Sequence, residues 1–325
     1  MSLPFTWGRI ARSNLRPGKP VVLIHGGAGQ ADPRGNQASQ AQLSLTRVVS
    51  ALRSGRTFAP AYFSPTWARS EAEEITLAAA HLMEDDPLFN AGLGAFIQGD
   101  GQARVSASFM ESRRGVFSSV INAMEVRHPS ALAYFLQGQQ FTQLDNLGTS
   151  RLCRQLGIPP EDLITSARFE RWVELRRTQL EGQTVPPGHG TIGVLGADAA
   201  GQLAACTSTG GVGAEPPGRV GDSPTVAGNY CGKHIAVSCT GIGEQIVHHA
   251  FAARLCVRVD DGMSLVEALG RGMEEVIARN FHLAAITIGW QGEDLVWAAA
   301  GTEPYFVWRL MSETGDHDFL GVDPP

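Results

Sequence analysis

A loop rich in proline and glycine, Gln183 to Gly190, interrupts the middle of the chain and leads directly into a strand pattern. Its paired prolines and neighbouring glycines exclude a regular helix or strand over these residues. From Thr191 onward the composition is that of a strand, a turn falls near Gly201, and a second strand pattern ends at Thr209. The sequence therefore predicts a β-hairpin that begins at Thr191 and is entered from a flexible loop.

Thr191 has a chemical use if the peptide bond before it is cut. A threonine that opens a strand and becomes a new N-terminus supplies a hydroxyl nucleophile and, in its own α-amino group, a base. Many strands begin after loops of this kind, so the local pattern does not separate a catalytic threonine from a structural one. The rest of the chain has to decide between these interpretations.

The order of the other elements is typical of a layered α/β protein. The sequence predicts strands at 20–25, 94–98, 102–110, 116–124, 191–197, 202–209, 235–239, 283–290 and 295–300. It predicts helices at 37–53, 71–83, 244–257 and 264–280, and a helical pattern from 129 to 180. This order predicts two stacked sheets with helices outside them, a four-layer αββα sandwich. No linker-like segment divides the 325 residues, so we expect a single domain.

The composition excludes some classes of partner. The formal net charge is −6, which argues against nucleic acid or an anionic membrane as the main partner. No apolar run reaches the roughly 18 residues that cross a bilayer, and the first residues lack the pattern of a signal peptide. We therefore expect a cytoplasmic protein whose five cysteines are free thiols. Basic residues from Arg168 to Arg177 alternate with acids, which predicts a solvated helix face.

Two segments that contain histidine invite other interpretations. Cys231, His234 and Cys239 fit no usual spacing of paired zinc ligands, and packing within a strand explains them better. The glycines after His25 suggest a nucleotide loop or the oxyanion segment of a serine esterase. The phosphate-loop spacings and the GxSxG motif are both missing from the sequence, however. The sequence thus gives little support to a metal site or to a serine hydrolase.

Two further segments carry polar groups suited to binding or catalysis. Arg219 and Asp222 lie three residues apart in a loop of glycine and proline. They can form an internal ion pair, or they can clamp a zwitterion by its carboxylate and its ammonium group. Thr240 lies where a strand ends and a helix begins. It can cap that helix or, together with backbone N–H groups, stabilise an oxyanion.

Six motifs follow one another in the order found in one enzyme family. They are Ile24-His-Gly-Gly-Ala-Gly29, Glu84-Asp-Asp-Pro-Leu-Phe-Asn-Ala-Gly92, His189-Gly-Thr-Ile-Gly193, Thr207-Ser-Thr-Gly-Gly211, Gly218-Arg-Val-Gly-Asp-Ser-Pro224 and Ser238-Cys-Thr-Gly-Ile-Gly-Glu244. With these motifs the chain resembles the plant-type asparaginases, also called isoaspartyl peptidases, which belong to the N-terminal nucleophile hydrolases. The resemblance runs over nearly the whole chain.

The resemblance implies a precursor that cuts itself between Gly190 and Thr191. Residues 1–190 would become an α subunit and residues 191–325 a β subunit, and two αβ units would form a homodimer. The freed Thr191 hydroxyl would attack the side-chain carbonyl of a β-aspartyl substrate, with its α-amino group as the base. The implied activity is hydrolysis of isoaspartyl dipeptides and L-asparagine through a β-aspartyl–enzyme intermediate, with no cofactor required.

The resemblance also assigns roles around the nucleophile. Thr209 matches the threonine that hydrogen-bonds the nucleophile. Asn90 matches a residue that supports the nucleophile loop. Thr240 and the N–H group of Gly241 match the oxyanion hole.

Other positions match groups that bind the substrate or an ion. Arg219 and Asp222 match the clamp on the α-carboxylate and the α-amine of the aspartyl group, and the Gly243 carbonyl assists them. The stretch from residue 83 to 93 resembles a loop that wraps a sodium ion with backbone carbonyls. The carbonyls in question belong to Met83, Glu84, Phe89, Ala91 and Leu93.

Some positions depart from the family pattern. An acidic residue and a glycine are missing from the segment Val105 to Ser112, Ala284-Ala285 replaces a glycine pair, and Asn229 stands where small residues are common. These departures keep the nucleophile and the clamp but bear on substrate choice and on the efficiency of self-cleavage. Two alternatives stay open: a weak or inactive protein of this fold that binds an amino acid or a partner, and an activity like that of glycosylasparaginase.

Overall fold

The fold is described from a computed structural model, which covers residues 5–29, 37–57, 67–183, 190–303 and 305–320. The strands are β1 (Phe5–Ala11), β2 (Val21–Gly29), β3 (Val105–Glu111), β4 (Ser118–Ala123), β5 (Gln143–Leu144), β6 (Ile192–Ala197), β7 (Leu203–Thr209), β8 (Asn229–Cys231), β9 (Ile235–Gly241), β10 (Leu283–Gln291), β11 (Asp294–Gly301), β12 (Tyr305–Ser312) and β13 (Gly315–Leu320). The helices are α1 (Gln37–Arg53), α2 (Glu71–Asp85), α3 (Pro129–Leu136), α4 (Asn146–Leu156), α5 (Ser166–Leu180), α6 (Gly243–His249), α7 (Phe251–Asp260) and α8 (Leu265–Ala278).

Polar residues fix the starts of two long helices. At the start of α2 the Ser70 hydroxyl accepts from the Glu73 N–H, and the Glu73 carboxylate accepts from the Ser70 N–H. Ser264 and Glu267 form the same reciprocal pair at the start of α8. Each pair satisfies two N–H groups that lack partners inside the helix. The predicted helices beginning near these residues are confirmed.

The strands form two sheets that pack face to face. One sheet has the order β1-β11-β10-β9-β8, and the other has the order β13-β12-β2-β6-β7-β3-β4-β5. Apolar side chains of both sheets meet in one buried cluster that includes Leu23, Leu195 and Ile286. Helices α1, α2 and α3 cover the outer face of the larger sheet, and α7 and α8 cover that of the smaller one. The predicted αββα sandwich is confirmed.

Strands β6 and β7 lie at the centre of the larger sheet and are buried along their whole length. Ile192 and Val194 belong to the cluster on the helix side, whereas Leu195 belongs to the cluster between the sheets. Because side chains alternate along a strand, positions 191 and 193 also face the space between the sheets. The hairpin therefore directs Thr191 toward the second sheet.

The structure corrects several predicted elements. The hairpin expected from 94–98 and 102–110 is reduced to one bridge between Ile97 and Ala103, and β3 begins only at Val105. The helical pattern from 129 to 180 is broken into α3, α4 and α5, and left-handed Gly157 ends α4. The helix expected at 244–257 is two helices, because Ala250 takes a positive φ of 53° between them.

Five strands were not predicted, namely β1, β5, β8, β12 and β13. Two of them, β5 and β8, have only two and three residues, too few to show a period. Strands β1 and β13 lie at sheet edges, where polar residues weaken the hydrophobic signal. Tertiary pairing decides these four elements, whereas β12 has an aromatic, strand-like sequence that the prediction missed.

The cysteines agree with the prediction of free thiols. All five are free and buried. Burial raises the pKa of Cys206, Cys231 and Cys256, so these thiols stay protonated near neutral pH. In the described ranges no three His, Cys, Asp or Glu side chains group as a metal site would require. None of the helices described is long and apolar enough to cross a membrane.

Candidate active site

Thr191 and Thr209 face each other across the hairpin of β6 and β7. Ile192 pairs with Ser208 in the antiparallel register, so Thr191 lies opposite Thr209. Their hydroxyl oxygens are 3.0 Å apart, which is a hydrogen-bond distance. The hairpin therefore brings together the proposed nucleophile and the threonine expected to bond it.

Gly193 lies two residues after Thr191, where the space between the sheets is crowded. A side chain at this position would overlap His25 Nε2 and Ser238 Oγ. Glycine thus allows the His25 ring to lie against β6. Burial lowers the pKa of His25 to about 3, so the ring is neutral near pH 7.

A chain of buried polar side chains continues from His25. Its Nε2 is 3.1 Å from Ser238 Oγ, and that hydroxyl is 2.6 Å from Thr207 Oγ1. Thr207 donates to Asn229 Oδ1 at 3.1 Å. All four side chains are buried, so these bonds satisfy polar groups that bulk water does not reach. The sequence marked Asn229 as unusual but did not predict this chain.

Asn90 connects Gly190, the residue before Thr191, with the turn after β7. Its N–H donates to the Gly190 carbonyl at 3.1 Å, and its carbonyl accepts from the Gly210 N–H at 2.9 Å. Its side-chain Nδ2 donates to the Gly211 carbonyl at 2.6 Å. Its Oδ1 accepts from the Phe96 N–H at 2.8 Å. One asparagine therefore fixes the spacing between Gly190 and the end of β7.

The glycines after His25 extend β2 and do not form a nucleotide loop. Gly27 has a φ of +107°, and a Cβ there would lie 2.8 Å from Gly190 Cα. Both the backbone conformation and the close approach therefore require glycine. Gly190 itself has a φ of 154° and directly precedes Thr191. The segment that suggested a nucleotide or esterase site thus packs against the bond before Thr191.

Thr240 and Gly241 end strand β9 at a pocket that Thr191 also lines. Thr240 does not cap α6, because the N-cap residue is Ile242 and its side chain makes no cap bond. The helix-capping interpretation is therefore wrong. Gly241 has a φ of +135°, and a Cβ there would lie 2.6 Å from Leu283 Cα, so this position also requires glycine. Both residues line the pocket together with Thr191.

Arg219 pairs with Glu244 and not with Asp222. Its Nε and Nη2 donate to the two carboxylate oxygens of Glu244, each at 2.8 Å. A two-point contact of this kind fixes the plane of the guanidinium. The pair does not use Nη1, and Nη1 makes no hydrogen bond to any other residue that the structure describes. The internal ion pair that the sequence allowed is replaced by a longer-range one.

Asp222 is buried at the pocket wall. Burial raises its pKa to about 7, and its Oδ2 has no hydrogen-bond partner among the residues described. A Cβ on Gly243 would lie 2.9 Å from Asp222 Oδ1 and 3.0 Å from Arg219 Nη2. Glycine at 243 therefore leaves space beside both side chains. A buried carboxyl with an open acceptor is suited to an ammonium group.

Most predicted site residues converge on this one pocket. Its wall is formed by Thr191, Thr209, Gly211, Val212, Arg219, Gly221, Asp222, Ser223, Thr240, Gly241 and Gly243. The residues expected to offer carbonyls to sodium lie elsewhere: Met83 and Glu84 at the end of α2, and Phe89, Ala91 and Leu93 in the segment after it. Glu244 is the last residue of the motif that begins at Ser238, but the sequence did not predict its contact with Arg219.

The chain is similar to proteins of a known family. A family model described as asparaginase matches residues 18–320. The isoaspartyl peptidase/L-asparaginase of Synechocystis sp. is 38% identical over 283 residues, which cover 84% of this chain and 83% of that protein. The Nostoc sp. protein of the same name is 35% identical, with 84% and 87% covered. The isoaspartyl peptidase of Escherichia coli is 34% identical, with 79% and 83% covered. The chain therefore belongs to the asparaginase family.

Proposed function

We propose that this protein is an autoproteolytically activated threonine amidohydrolase that hydrolyses the β-aspartyl amide bonds of isoaspartyl dipeptides and L-asparagine. One observation carries the proposal: the Thr191 hydroxyl, 3.0 Å from that of Thr209, shares a pocket with Arg219, Asp222 and Thr240. The relatives named isoaspartyl peptidase or L-asparaginase support the substrate class.

Activation begins at the peptide bond between Gly190 and Thr191. The Thr191 hydroxyl attacks the Gly190 carbonyl carbon, the C–N bond breaks as the nitrogen takes a proton, and an ester forms. Water then hydrolyses the ester, which leaves a carboxylate on Gly190 and a free α-amine on Thr191. The Asn90 N–H, 3.1 Å from the Gly190 oxygen, supports this step because it stabilises negative charge on that oxygen.

The new α-amino group of Thr191 then serves as the base. An α-amine has a pKa near ~8, so it accepts the hydroxyl proton close to neutral pH while Oγ1 attacks the side-chain carbonyl of the substrate. Thr209 orients Oγ1, and the Thr240 hydroxyl and the Gly241 N–H donate to the oxyanion. The leaving amine takes the proton, and water hydrolyses the aspartyl ester to release aspartate and restore the hydroxyl.

The aspartyl half of the substrate is held by groups of opposite charge. The free Nη1 edge of Arg219 binds the α-carboxylate, while Glu244 holds the other edge of the guanidinium. Asp222 binds the α-ammonium group, with the Gly243 carbonyl as a second acceptor. The ammonium stabilises the ionised form of Asp222, so binding lowers a pKa that burial holds near 7. An uncharged amide substrate without these two groups would lose both contacts.

We further propose that the enzyme acts without a cofactor, as a homodimer of αβ units in the cytoplasm. The proposed assembly, location and lack of a cofactor come from the family resemblance, and they do not depend on the chemistry at Thr191. Size-exclusion chromatography with light scattering tests the assembly. A measured mass equal to a single αβ unit would contradict the dimer and leave the catalytic proposal intact.

The first test is the intact mass of the purified chain after incubation at neutral pH. The proposal predicts two fragments, 1–190 and 191–325, with Thr191 as a new N-terminus, and release of aspartate from β-aspartyl dipeptides. The Thr191→Ala variant should remain one chain without activity. A wild-type chain that stays intact and inactive would favour the non-catalytic alternative. Preference for a glycosylated asparagine over dipeptides would favour the glycosylasparaginase-like activity.

A further inference from the structure

Arg168, near the start of α5, reaches into the loop of residues 87–94. Its Nε donates to the Gly94 carbonyl at 2.7 Å. Its Nη2 lies 3.3, 3.0 and 3.1 Å from the carbonyl oxygens of Pro87, Leu88 and Phe89. One guanidinium therefore gathers backbone carbonyls from both ends of this loop.

These carbonyls compensate the charge of Arg168. No carboxylate in the described part of the chain forms an ion pair with it, and burial lowers its pKa to about 10. The group stays protonated near neutral pH, because that value lies well above 7. Its central carbon is 4.5 Å from the centre of the Phe96 ring, which adds a cation–π contact. Carbonyl oxygens and an aromatic face are surroundings that bind a cation.

The sodium ion implied by the family resemblance does not fit this loop. The Phe89 carbonyl, one of the expected ligands, accepts from Arg168 Nη2. The Met83 and Ala91 carbonyls each already accept from the N–H group three residues later, at 3.3 and 3.0 Å, which leaves each of them one lone pair. A sodium ion bound to the Phe89 oxygen would lie next to the Arg168 guanidinium. Two positive charges only a few ångström apart repel each other.

We propose that Arg168 is the built-in cation of loop 87–94 and that this loop takes no alkali-metal ion. The loop contains Asn90, directly after the Phe89 carbonyl that Arg168 binds. Asn90 in turn holds Gly190 and Gly211 on either side of the nucleophile. Arg168 is therefore a positioning residue that acts through Asn90. This last step rests on the proposed function, whereas the ion-binding step does not.

The test compares the full-length wild type with Arg168→Ala, Arg168→Lys and Arg171→Ala. Arg171 is a matched control because it lies on the same helix with an exposed side chain paired to Glu174. Each protein is studied in sodium, potassium and tetramethylammonium chloride of equal ionic strength. The readouts are the melting temperature, the rate of self-cleavage by intact mass, and kcat and KM for a β-aspartyl dipeptide.

We expect the wild type and Arg171→Ala to behave alike in all three salts. Arg168→Ala should melt at a lower temperature and cleave itself about tenfold more slowly, because charge-assisted hydrogen bonds are lost. Millimolar guanidinium should restore part of both losses in Arg168→Ala and in no other protein. Arg168→Lys keeps the charge with a different geometry, so it should fall between the wild type and Arg168→Ala. The loss of activity should appear in kcat, since Arg168 does not contact the substrate pocket.

A wild type that needs sodium for its melting temperature or its cleavage would overturn the proposal. So would an Arg168→Ala protein that matches the wild type in both, or one whose losses guanidinium does not reduce. If Arg168→Ala does not fold, Arg168→Lys carries the same comparison. If no protein cleaves itself or hydrolyses the dipeptide, the proposed function fails, but the melting temperatures in the three salts still decide the ion-binding step.

Discussion

The substitution Asp222→Asn tests the electrostatics of the pocket through stability as well as activity. Burial raises the pKa of Asp222 to about 7, whereas an unfolded aspartate titrates near ~3.9. Because the folded-state value is the higher one, the carboxyl favours the folded state while protonated, and this contribution is lost as the pH rises through about 7. The difference between these two pKa values corresponds to an upper limit of roughly 4 kcal/mol.

Asparagine cannot ionise, so the variant avoids the free-energy cost of burying a charged carboxylate at high pH. Part of the gain is offset because the buried amide needs partners of its own, and we expect a net stabilisation of about 1–2 kcal/mol above pH 8. Near pH 5 the folded carboxyl is protonated while the unfolded one is ionised, so only about 1.5 kcal/mol of this cost is present, and the variant should be no more stable than the wild type. The comparison is best made in a Thr191→Ala background, in which no α-amine is released beside the carboxyl.

The measurement is the melting temperature at low and high pH, with and without the Asp222→Asn substitution, and with Asp261→Asn as an exposed control. One kcal/mol shifts the melting temperature of a large domain by about 2 °C, so the stabilisation is measurable. In the cleaved enzyme the same substitution should reduce kcat/KM by about tenfold or more, because the ammonium loses a charged partner. An equal shift in melting temperature at both pH values would refute the argument, and so would a stability gain in the control.

Three more substitutions probe other contacts of the site. Thr209→Val removes the hydroxyl beside Thr191, and we expect kcat to fall by about a hundredfold with KM unchanged in steady-state kinetics; an unchanged kcat would contradict its orienting role. Glu244→Gln weakens the two-point contact on Arg219, so KM should rise by about tenfold with a smaller change in kcat; a change confined to kcat would argue against it. Gly193→Ala should cost more than about 2 kcal/mol in urea unfolding, because the new Cβ overlaps buried side chains; wild-type stability would contradict the crowding described for this position.

The sequence predicted the hairpin because it depends on local pattern, whereas the contact between Thr191 and Thr209 was expected from the family resemblance. A turn near Gly201 between two strand patterns sets the register, and the register sets which side chains meet. The partner of Arg219 could not be predicted in this way. Asp222 is three residues away, but Glu244 lies on another element, and only the packing of α6 against the loop decides between them.

Arg168 is the clearest case in which the sequence interpretation is wrong. Basic and acidic residues alternate along α5, and this pattern predicted a solvated face. Arg171 fits that interpretation, since it is exposed and pairs with Glu174. Arg168 instead turns inward to loop 87–94. Both residues are arginines on the same helix, three positions apart, so the sequence pattern does not distinguish them. Only the backbone carbonyls of a segment distant in sequence do.

One departure from the family pattern, Ala284, occurs where the fold has room for it. Ala284 lies opposite Gly301 in the pairing of β10 with β11, and a Cβ on Gly301 would lie 2.8 Å from the Ala284 methyl. The methyl gained on one strand is therefore matched by a missing side chain on the other. Ala285 faces the helix-side core, where it is fully buried. Gly241 has no such space, because Leu283 closes around it, and there the glycine is kept. Volume at each position, more than agreement with a motif, decides which residues of the site can change.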